Sequence, residues 1–236
     1  MSIDFRKRIH KLARSNSEVP KLEEELRNMN KLEELLELAE IIIAEGGTNY
    51  VPIKLYINSL GQIVRDRLIM KMYLGEEVDF IESIFNDLGF RLRKYFDKDL
   101  LNEEEKMIDI SLDNDMAIPI AGDRKRFAKR LAKDTRGNRS SFFYNHNDYK
   151  AHLFLPINIA IIYYGNHSLL AGILKKEGKI KSDYVFDMGN KYDEIKFDGT
   201  YYREIKTNEI LYRVKNFELG VIFEIGRMLK QYKIHL

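Results

Sequence analysis

The sequence has no cysteine, which excludes disulfide bonds, thiolate metal sites and cysteine nucleophiles. It also has no long apolar run, since the longest, residues 41–44 and 157–164, are far too short to span a bilayer. Residues 1–8 have no apolar segment after their charges and so do not predict a secretory signal. These absences predict a soluble, cytoplasmic protein with no membrane role.

An excess of one charge is missing too, because 39 basic and 37 acidic residues leave a formal net charge of +2. The chain as a whole therefore does not attract nucleic acid or an anionic membrane, and any such attraction must come from a local patch. Hydrophobic residues make up 44% of the 236 residues, which is enough to form a core. This length fits one large domain or two small ones.

The first hundred residues carry apolar side chains at helical spacing. The pattern predicts helices over residues 22–43, 52–74 and 78–95, with Gly46-Gly47 and Gly75 ending the first two. We therefore expect a helical domain over residues 1–110. Its surface is where we expect a second copy of the chain or another protein partner to bind.

The pattern changes near Ser111, after which short apolar runs alternate with helical spacing. Residues 118–120, 152–156, 159–163 and 184–186 read as strands, and Asp198-Gly199 predicts a hairpin turn. Helices are expected from Asp123, from Leu169 and after Asn216. The fold class is therefore α+β, with an N-terminal helical bundle followed by an α/β domain over residues 111–236.

A strand, the turn Gly165-Asn166-His167-Ser168 and a helix follow one another directly. The start of a helix has unpaired backbone N–H groups and partial positive charge, which together favour phosphate or another anion. Gly165 would let a ligand approach the backbone, and His167 has a reference pKa of about 6.5, suited to proton transfer. The alternative is structural: Asn166 or Ser168 caps the helix, and His167 satisfies a backbone carbonyl group.

This turn resembles the glycine-containing phosphate turn of the ParB/sulfiredoxin-like superfamily, and most closely a group of bacterial and mobile-element proteins with a Gly-Asn-His-Ser variant. The similar pieces are Ile118-Pro119-Ile120 with the basic helix after it, the turn itself, and the segments 184–188, 197–202 and 217–227. The resemblance covers residues 111–236. It implies a ParB/sulfiredoxin-like domain with a small mixed sheet, in which Gly165, Asn166, His167 and Ser168 bind nucleotide phosphates.

The chain departs from the superfamily at one position. Members that bind nucleotide usually carry an arginine where this sequence has Ser168, so a bidentate phosphate donor is missing. The backbone part of the site would remain.

A basic segment lies between residues 122 and 150, where nine basic residues face three acidic ones. The aromatic residues Phe142, Phe143 and Tyr144 follow it closely, and basic residues beside aromatic ones suit phosphate contact with base stacking. The alternative is a solvated helix face. The candidate nucleic-acid contacts are Arg124, Arg126, Lys129, Arg130 and Lys133.

Asp187 and Asp198 follow predicted strands in the same half as the turn. Carboxylates near a bound phosphate can hold Mg²⁺ or act as a base, so a nucleotide with Mg²⁺ is the candidate cofactor. Asp198 also fits a purely structural role, because Asp-Gly is a turn dipeptide. No histidine spacing predicts a metal site.

Three hypotheses for function follow. The first is an enzyme that cleaves phosphodiesters, hydrolyses nucleotides or transfers phosphoryl groups, with His167, Asp187 and Asp198 as catalytic residues. The second is a non-catalytic nucleotide- or DNA-binding protein with a regulatory role in a mobile element or phage conflict. The third is an interaction protein in which the turn has lost its ligand.

Overall fold

The computed structural model describes residues 19–77, 81–89, 107–135 and 148–236. In these ranges the fold is mixed α+β, as predicted, with helices first and small sheets after them. The helices are α1 (Val19–Gly46), α2 (Val51–Leu74), α3 (Ile81–Asp87), α4 (Arg124–Thr135), α5 (Asn166–Lys175), α6 (Lys191–Glu194) and α7 (Phe217–Gln231). The strands are β1 (Asp109–Ser111), β2 (Met116–Pro119), β3 (Lys150–Leu155), β4 (Ile159–Tyr164), β5 (Lys179–Lys181), β6 (Tyr184–Asp187), β7 (Ile195–Phe197), β8 (Tyr201–Glu204) and β9 (Ile210–Arg213).

The ends of α2 show why the apolar pattern stops where it does. Pro52 lies in the first turn, where its missing N–H group costs no hydrogen bond. Gly75 follows the last residue in the left-handed conformation, with φ at 72°, and its N–H donates to Met72 O at 3.1 Å. The N–H of Glu76 donates to Lys71 O at 2.9 Å. The predicted end of this helix at Gly75 is confirmed.

A four-stranded mixed sheet in the order β2-β4-β3-β6 organises the second half. β2 runs parallel to β4, with Pro119 beside Ile162, so both strands end on one side of the sheet. β3 runs antiparallel to β4, with Lys150 opposite Tyr164, so β3 begins on that side. We call this side, marked by Pro119, Lys150 and Tyr164, the turn end, because Gly165 follows it directly.

Alternate residues of these strands face two hydrophobic cores, as the two-residue period of a strand requires. Ile118, Phe154 and Ile161 belong to the larger core, on the face covered by α2, α3 and α7. Leu153 and Ala160 belong to a smaller core on the opposite face, which α5 covers. The sheet is therefore covered on both faces.

The larger core combines both predicted halves of the chain. Val64 of α2 and Phe85 of α3 are buried in the same cluster as Ile118 of β2 and Phe223 of α7. The described parts of the predicted segments 1–110 and 111–236 thus contribute to one shared core. Of their junction, predicted near Leu101 to Ser111, residues 101–106 lie outside the described residues.

Buried polar contacts connect α2, α3 and α7. Asn216 directly precedes α7, where the sequence predicts a side-chain cap, but its side chain makes no cap hydrogen bond. Its Nδ2 donates instead to Asp87 Oδ2 at 2.8 Å, and its Oδ1 accepts from Arg67 Nη1 at 3.2 Å. Asp87 also accepts hydrogen bonds from the amides of Lys215 at 2.9 Å and Asn216 at 2.8 Å. Asp87 is therefore a buried acceptor for three donors.

A second sheet, β7-β8-β9, packs on α7. Its β7–β8 hairpin turns at Asp198-Gly199, as predicted. Glu224 of α7 accepts from Phe197 N at 2.7 Å and pairs with Arg227 Nε at 2.7 Å. Arg227 Nη2 donates to the Ile195 carbonyl at 2.5 Å. The two charges inside this apolar helix are therefore paired internally and fix the sheet to it.

Some sequence predictions fall on parts of the chain outside the described residues. Of the helix predicted over residues 78–95, only Ile81–Asp87 is described. Phe142, Phe143 and Tyr144 are also outside. Among the described helices, none is both long and apolar enough to cross a membrane.

An aromatic cluster surrounds His152 on the larger-core face of β3. The His152 ring stacks on Tyr163 with centroids 4.3 Å apart and meets Phe85 edge-on at 5.3 Å. Its Nδ1 is buried and, among the described residues, has no hydrogen-bond partner. Burial lowers the pKa of His152 to about 4, although the nearby Asp183 carboxylate opposes this change.

We expect His152 to make the protein sensitive to acid. A histidine whose pKa is lower in the folded than in the unfolded chain stabilises the fold above its unfolded pKa of about 6.5, and this contribution is lost as pH falls towards 4. Between pH 7 and pH 4.5 the loss amounts to about 2 kcal/mol. Urea unfolding should show that His152→Phe removes this part of the pH dependence.

The exposed His235 supplies the control for this experiment. His235→Gln should keep the pH dependence of the wild type. Equal pH dependence of the wild type and His152→Phe would contradict the assignment to His152.

Candidate functional site

Gly165 joins β4 to α5, as the sequence predicts. It is the N-cap of α5 and adopts the left-handed conformation, with φ at 76°. The helix begins at Asn166 and not at Leu169, three residues earlier than the apolar spacing indicates. Asn166, His167 and Ser168 therefore form its first turn.

The need for glycine at position 165 comes from packing. A Cβ atom there would lie 2.5 Å from the Asp148 carbonyl oxygen and 2.5 Å from Tyr149 Cδ1. Both distances are far below van der Waals contact, and the positive φ adds strain for any other residue. Close approach of a ligand, the reason expected from the sequence, does not explain this glycine.

The side chains of Asn166 and His167 connect α5 to the loop between β2 and α4. Asn166 Oδ1 accepts from Ile120 N at 3.1 Å, and His167 Nε2 accepts from Asp123 N at 3.3 Å. The loop is within reach because β2 and β4 are parallel neighbours and both end at the turn end. The starts of α4 and α5 are therefore adjacent. Neither acceptor contact was predicted, because the partner amides lie more than 40 residues away in the chain.

The first turn of α5 offers two amide donors. The amides of Ser168 and Leu169 both donate to Gly165 O at 3.1 Å. Within the described part of the chain, the amides of Asn166 and His167 have no hydrogen-bond partner. Unpaired amides at a helix start favour an anion. Of the three amides expected to face a ligand, two are available for this, and Ser168 N is not.

His167 is held in its neutral form. Burial lowers its pKa, and the nearby Arg126 lowers it further, against the opposing influence of Asp123. Because Nε2 accepts the Asp123 N–H, the remaining proton belongs on Nδ1. Nε2 is thus occupied and does not act as a base in this arrangement, while Nδ1–H remains a donor.

The basic helix α4 starts beside the start of α5, with the Arg124 guanidinium packed against Gly75 at the end of α2. Arg124, Arg126 and Lys129 are exposed, and Arg130 is partly buried. The amides of Lys125 and Arg126 donate to Asp123 Oδ1 at 2.9 and 3.0 Å, so Asp123 caps α4 as predicted. These amide hydrogen bonds, with that of Arg126 first, lower the pKa of Asp123.

Asp123 also limits how α4 can bind an anion. Because Asp123 already accepts from the amides of Lys125 and Arg126, these two amides are not available to a ligand, and α4 offers mainly its side-chain cations. The Arg126 side chain is 78% exposed and lies 3.4 Å from Asp123 Oδ2, so it can turn towards a ligand. Phe127 is buried on the opposite side, and Ala128 is exposed. Lys133 lies in the last turn of the same helix.

The structure does not bring Asp187 to the turn. Asp187 pairs with Leu155 at the end of β3, and Phe154 beside it lies opposite Ile159, the first residue of β4. Gly165 follows the other end of β4, so at about 3.3 Å per residue the two sites are at least roughly 15 Å apart. Asp187 Oδ1 accepts from Gly189 N at 2.8 Å in its own turn.

Asp198 has a structural environment in the second sheet. Its Oδ1 accepts from the amides of Thr200 at 3.0 Å and Tyr201 at 2.7 Å, and its Oδ2 lies 2.5 Å from Arg203 Nε. The carboxylate therefore closes the β7–β8 turn. The Asp198 carboxylate thus accepts hydrogen bonds from three donors of the protein itself. This agrees with a purely structural role for Asp198.

The described residues include no cluster of metal ligands. Within the described ranges, no group of three or more histidine, aspartate or glutamate side chains is positioned to hold a metal ion. Among the described residues, the region where the starts of α4 and α5 meet thus contains cations, two amides, one imidazole N–H and the Asp123 carboxylate. Such a set suits phosphate oxygens.

Comparison with known proteins assigns the chain to a family. Residues 17–236 match the family described as "Family of unknown function (DUF6710)", which spans nearly the whole chain, so the protein belongs to it. No curated protein and no solved structure matches the sequence.

Proposed function

Starting from this family membership, we propose that the protein binds the phosphate groups of a nucleic acid in the cleft between the starts of α4 and α5. The observation that carries the proposal is the contact of His167 Nε2 with Asp123 N at 3.3 Å, which fixes two helix starts side by side. The α5 start supplies the amides of Asn166 and His167. The α4 start supplies exposed cations.

Several features favour a polymer over a single nucleotide. Arg126 and Lys129 lie about one helical turn apart on the same side of α4, so they can reach successive phosphates. The arginine that nucleotide-binding members of the ParB/sulfiredoxin-like superfamily usually carry is replaced here by Ser168. A single phosphate bound in the turn would therefore have few charged partners. In a strand of nucleic acid, the neighbouring phosphates could also contact the cations of α4.

The proposed function is binding without catalysis. A hydrolytic reaction needs a base or a metal-held water near the phosphate. His167 Nε2 is occupied by a backbone N–H, Asp187 lies at the other end of the sheet, and Asp198 closes a hairpin. These arrangements support the regulatory binding hypothesis over the enzymatic one.

We expect Arg126→Ala combined with Lys129→Ala to weaken binding of a fluorescein-labelled single-stranded oligonucleotide. Each phosphate contact that is lost should reduce the slope of log K against log salt by about 0.7 for a single strand. The loss should be similar for different base sequences, because phosphate contacts carry no base information. Fluorescence anisotropy between about 50 and 200 mM salt measures both effects.

Lys206→Ala is the matched control, because Lys206 is an exposed cation in the β8–β9 turn, away from the cleft. It should leave the salt slope unchanged. Adding ATP with and without Mg²⁺ as competitor distinguishes a nucleotide site from a polymer site. No binding at tens of micromolar protein and low salt, about the weak end of non-specific affinity, would overturn the proposal.

A further inference from the structure

A cavity of about 630 Å³ lies away from the phosphate cleft, between α1 and the β7-β8-β9 sheet. It forms where the hairpin tip rests on α1: Gly199, with φ at 98°, packs so closely that a Cβ atom would lie 2.8 Å from the Asn28 backbone. Asn28 Nδ2 donates to Thr200 Oγ1 at 3.3 Å and closes one side. The volume is in the range of about 300–1,000 Å³ that small-molecule sites have.

Aromatic rings form the inner wall of this cavity. Phe197 is buried and lies with its ring centroid 5.9 Å from that of Phe217, tilted by 60°. Tyr212 lines the same wall. The Phe197 ring packs so closely on α7 that a Cβ atom on Gly220 would lie 2.5 Å from it. These fixed rings suit a flat apolar ligand.

The rim of the cavity has an excess of positive charge. Arg213 and Lys215 lie on it, and among the described residues Glu24 of α1 is the carboxylate that lines it. Arg213 Nη2 contacts Glu24 Oε1 at 3.1 Å, but both side chains are about half exposed, at 56% and 47%. Exposed ion pairs are weak, so an incoming anion can replace Glu24 as the partner of Arg213.

We propose that this cavity binds a small planar aromatic molecule that carries one anionic group. The ring would lie against Phe197, Tyr212 and Phe217, and the anion would contact Arg213 and Lys215 at the rim. Aromatic side chains favour stacked or edge-to-face packing with such a ring, and a guanidinium group pairs with carboxylate in a bidentate manner.

Three probes that differ in charge or in aromatic character test the proposal on the full-length protein. 1-Naphthoate carries the ring and the anion, 1-naphthylmethylamine carries the ring and a cation, and cyclohexanecarboxylate carries the anion without an aromatic ring. Saturation-transfer NMR should detect 1-naphthoate binding at about millimolar concentration or below, as expected for a ligand of this size. The other two should bind at least several-fold more weakly, and only 1-naphthoate should raise the midpoint of thermal unfolding.

Two variants locate the site. Val214→Trp replaces a half-buried lining residue with a much larger one, which narrows the cavity, and it should weaken 1-naphthoate binding. Arg213→Glu changes an exposed residue, so it should leave the fold intact while reversing the preference between the anionic and cationic probes. Lys206→Gln should have no effect. The proposal is overturned if no probe binds, if the amine binds as well as the acid, or if both cavity variants bind 1-naphthoate like the wild type.

Discussion

Asp87→Ala is expected to lower the free energy of unfolding by about 3–5 kcal/mol, the range seen when one member of a buried charged network is removed. The Asp87 carboxylate is fully buried and accepts from Lys215 N, Asn216 N and Asn216 Nδ2, all within 2.9 Å. Alanine would leave these donors without an acceptor inside the protein. Chemical denaturation measures the loss.

Two further variants serve as comparisons for Asp87→Ala. Asp87→Asn keeps one acceptor oxygen and should lose about 1–3 kcal/mol. Asp193→Ala removes an exposed carboxylate whose ion pair with Lys230 spans 2.6 Å, and it should cost less than about 1 kcal/mol. If Asp87→Ala were as mild as Asp193→Ala, Asp87 would not connect α3 to the start of α7 as described.

Gly165→Ala is expected to destabilise the fold by about 2–4 kcal/mol. The left-handed conformation costs an L-residue about 1–2 kcal/mol, and forcing a methyl group against packed neighbours costs about 1–3 kcal/mol. The new Cβ would lie 2.5 Å from both Asp148 O and Tyr149 Cδ1, and neither of these groups can move away without shifting the start of β3. Thermal or urea unfolding without any ligand measures this cost.

Gly122→Ala provides the matched control, since it lies in the loop before α4 and a Cβ there would meet nothing within 4 Å. Its effect should stay within about 0.5 kcal/mol. A mild effect of Gly165→Ala on stability together with a strong effect on oligonucleotide binding would instead favour ligand approach as the reason for this glycine.

Local sequence signals predicted much of the fold. Helical spacing and Gly75 located α2, and the run from residue 159 to Tyr164 followed by Gly165 located β4 and its junction with α5, although the apolar spacing placed the helix start three residues too late. The Asp198-Gly199 dipeptide located a hairpin. Each of these signals depends on residues a few positions apart, which is the range over which backbone conformation and side-chain periodicity act.

The candidate site was harder to predict, because strand order and direction decide which residues meet. Asp187 resembles a site residue in sequence, yet the antiparallel β3–β4 pairing and the parallel β3–β6 pairing put it at the far end of the sheet. His167 resembles a proton donor or acceptor, yet Asp123 N, 44 residues away, occupies its Nε2. No spacing rule within one segment contains this information.

The central claim, that the first turn of α5 binds phosphate, is tested most directly by the backbone amide NMR signals of Asn166 and His167 in the ¹⁵N-labelled protein. On titration with a short single-stranded oligonucleotide, both signals should shift in a saturable way, together with those of Arg124 to Arg126, and added salt should reverse the shifts. Ser168, whose amide donates to Gly165 O, should shift less. Saturable binding that leaves the Asn166 and His167 amides unchanged would contradict the claim.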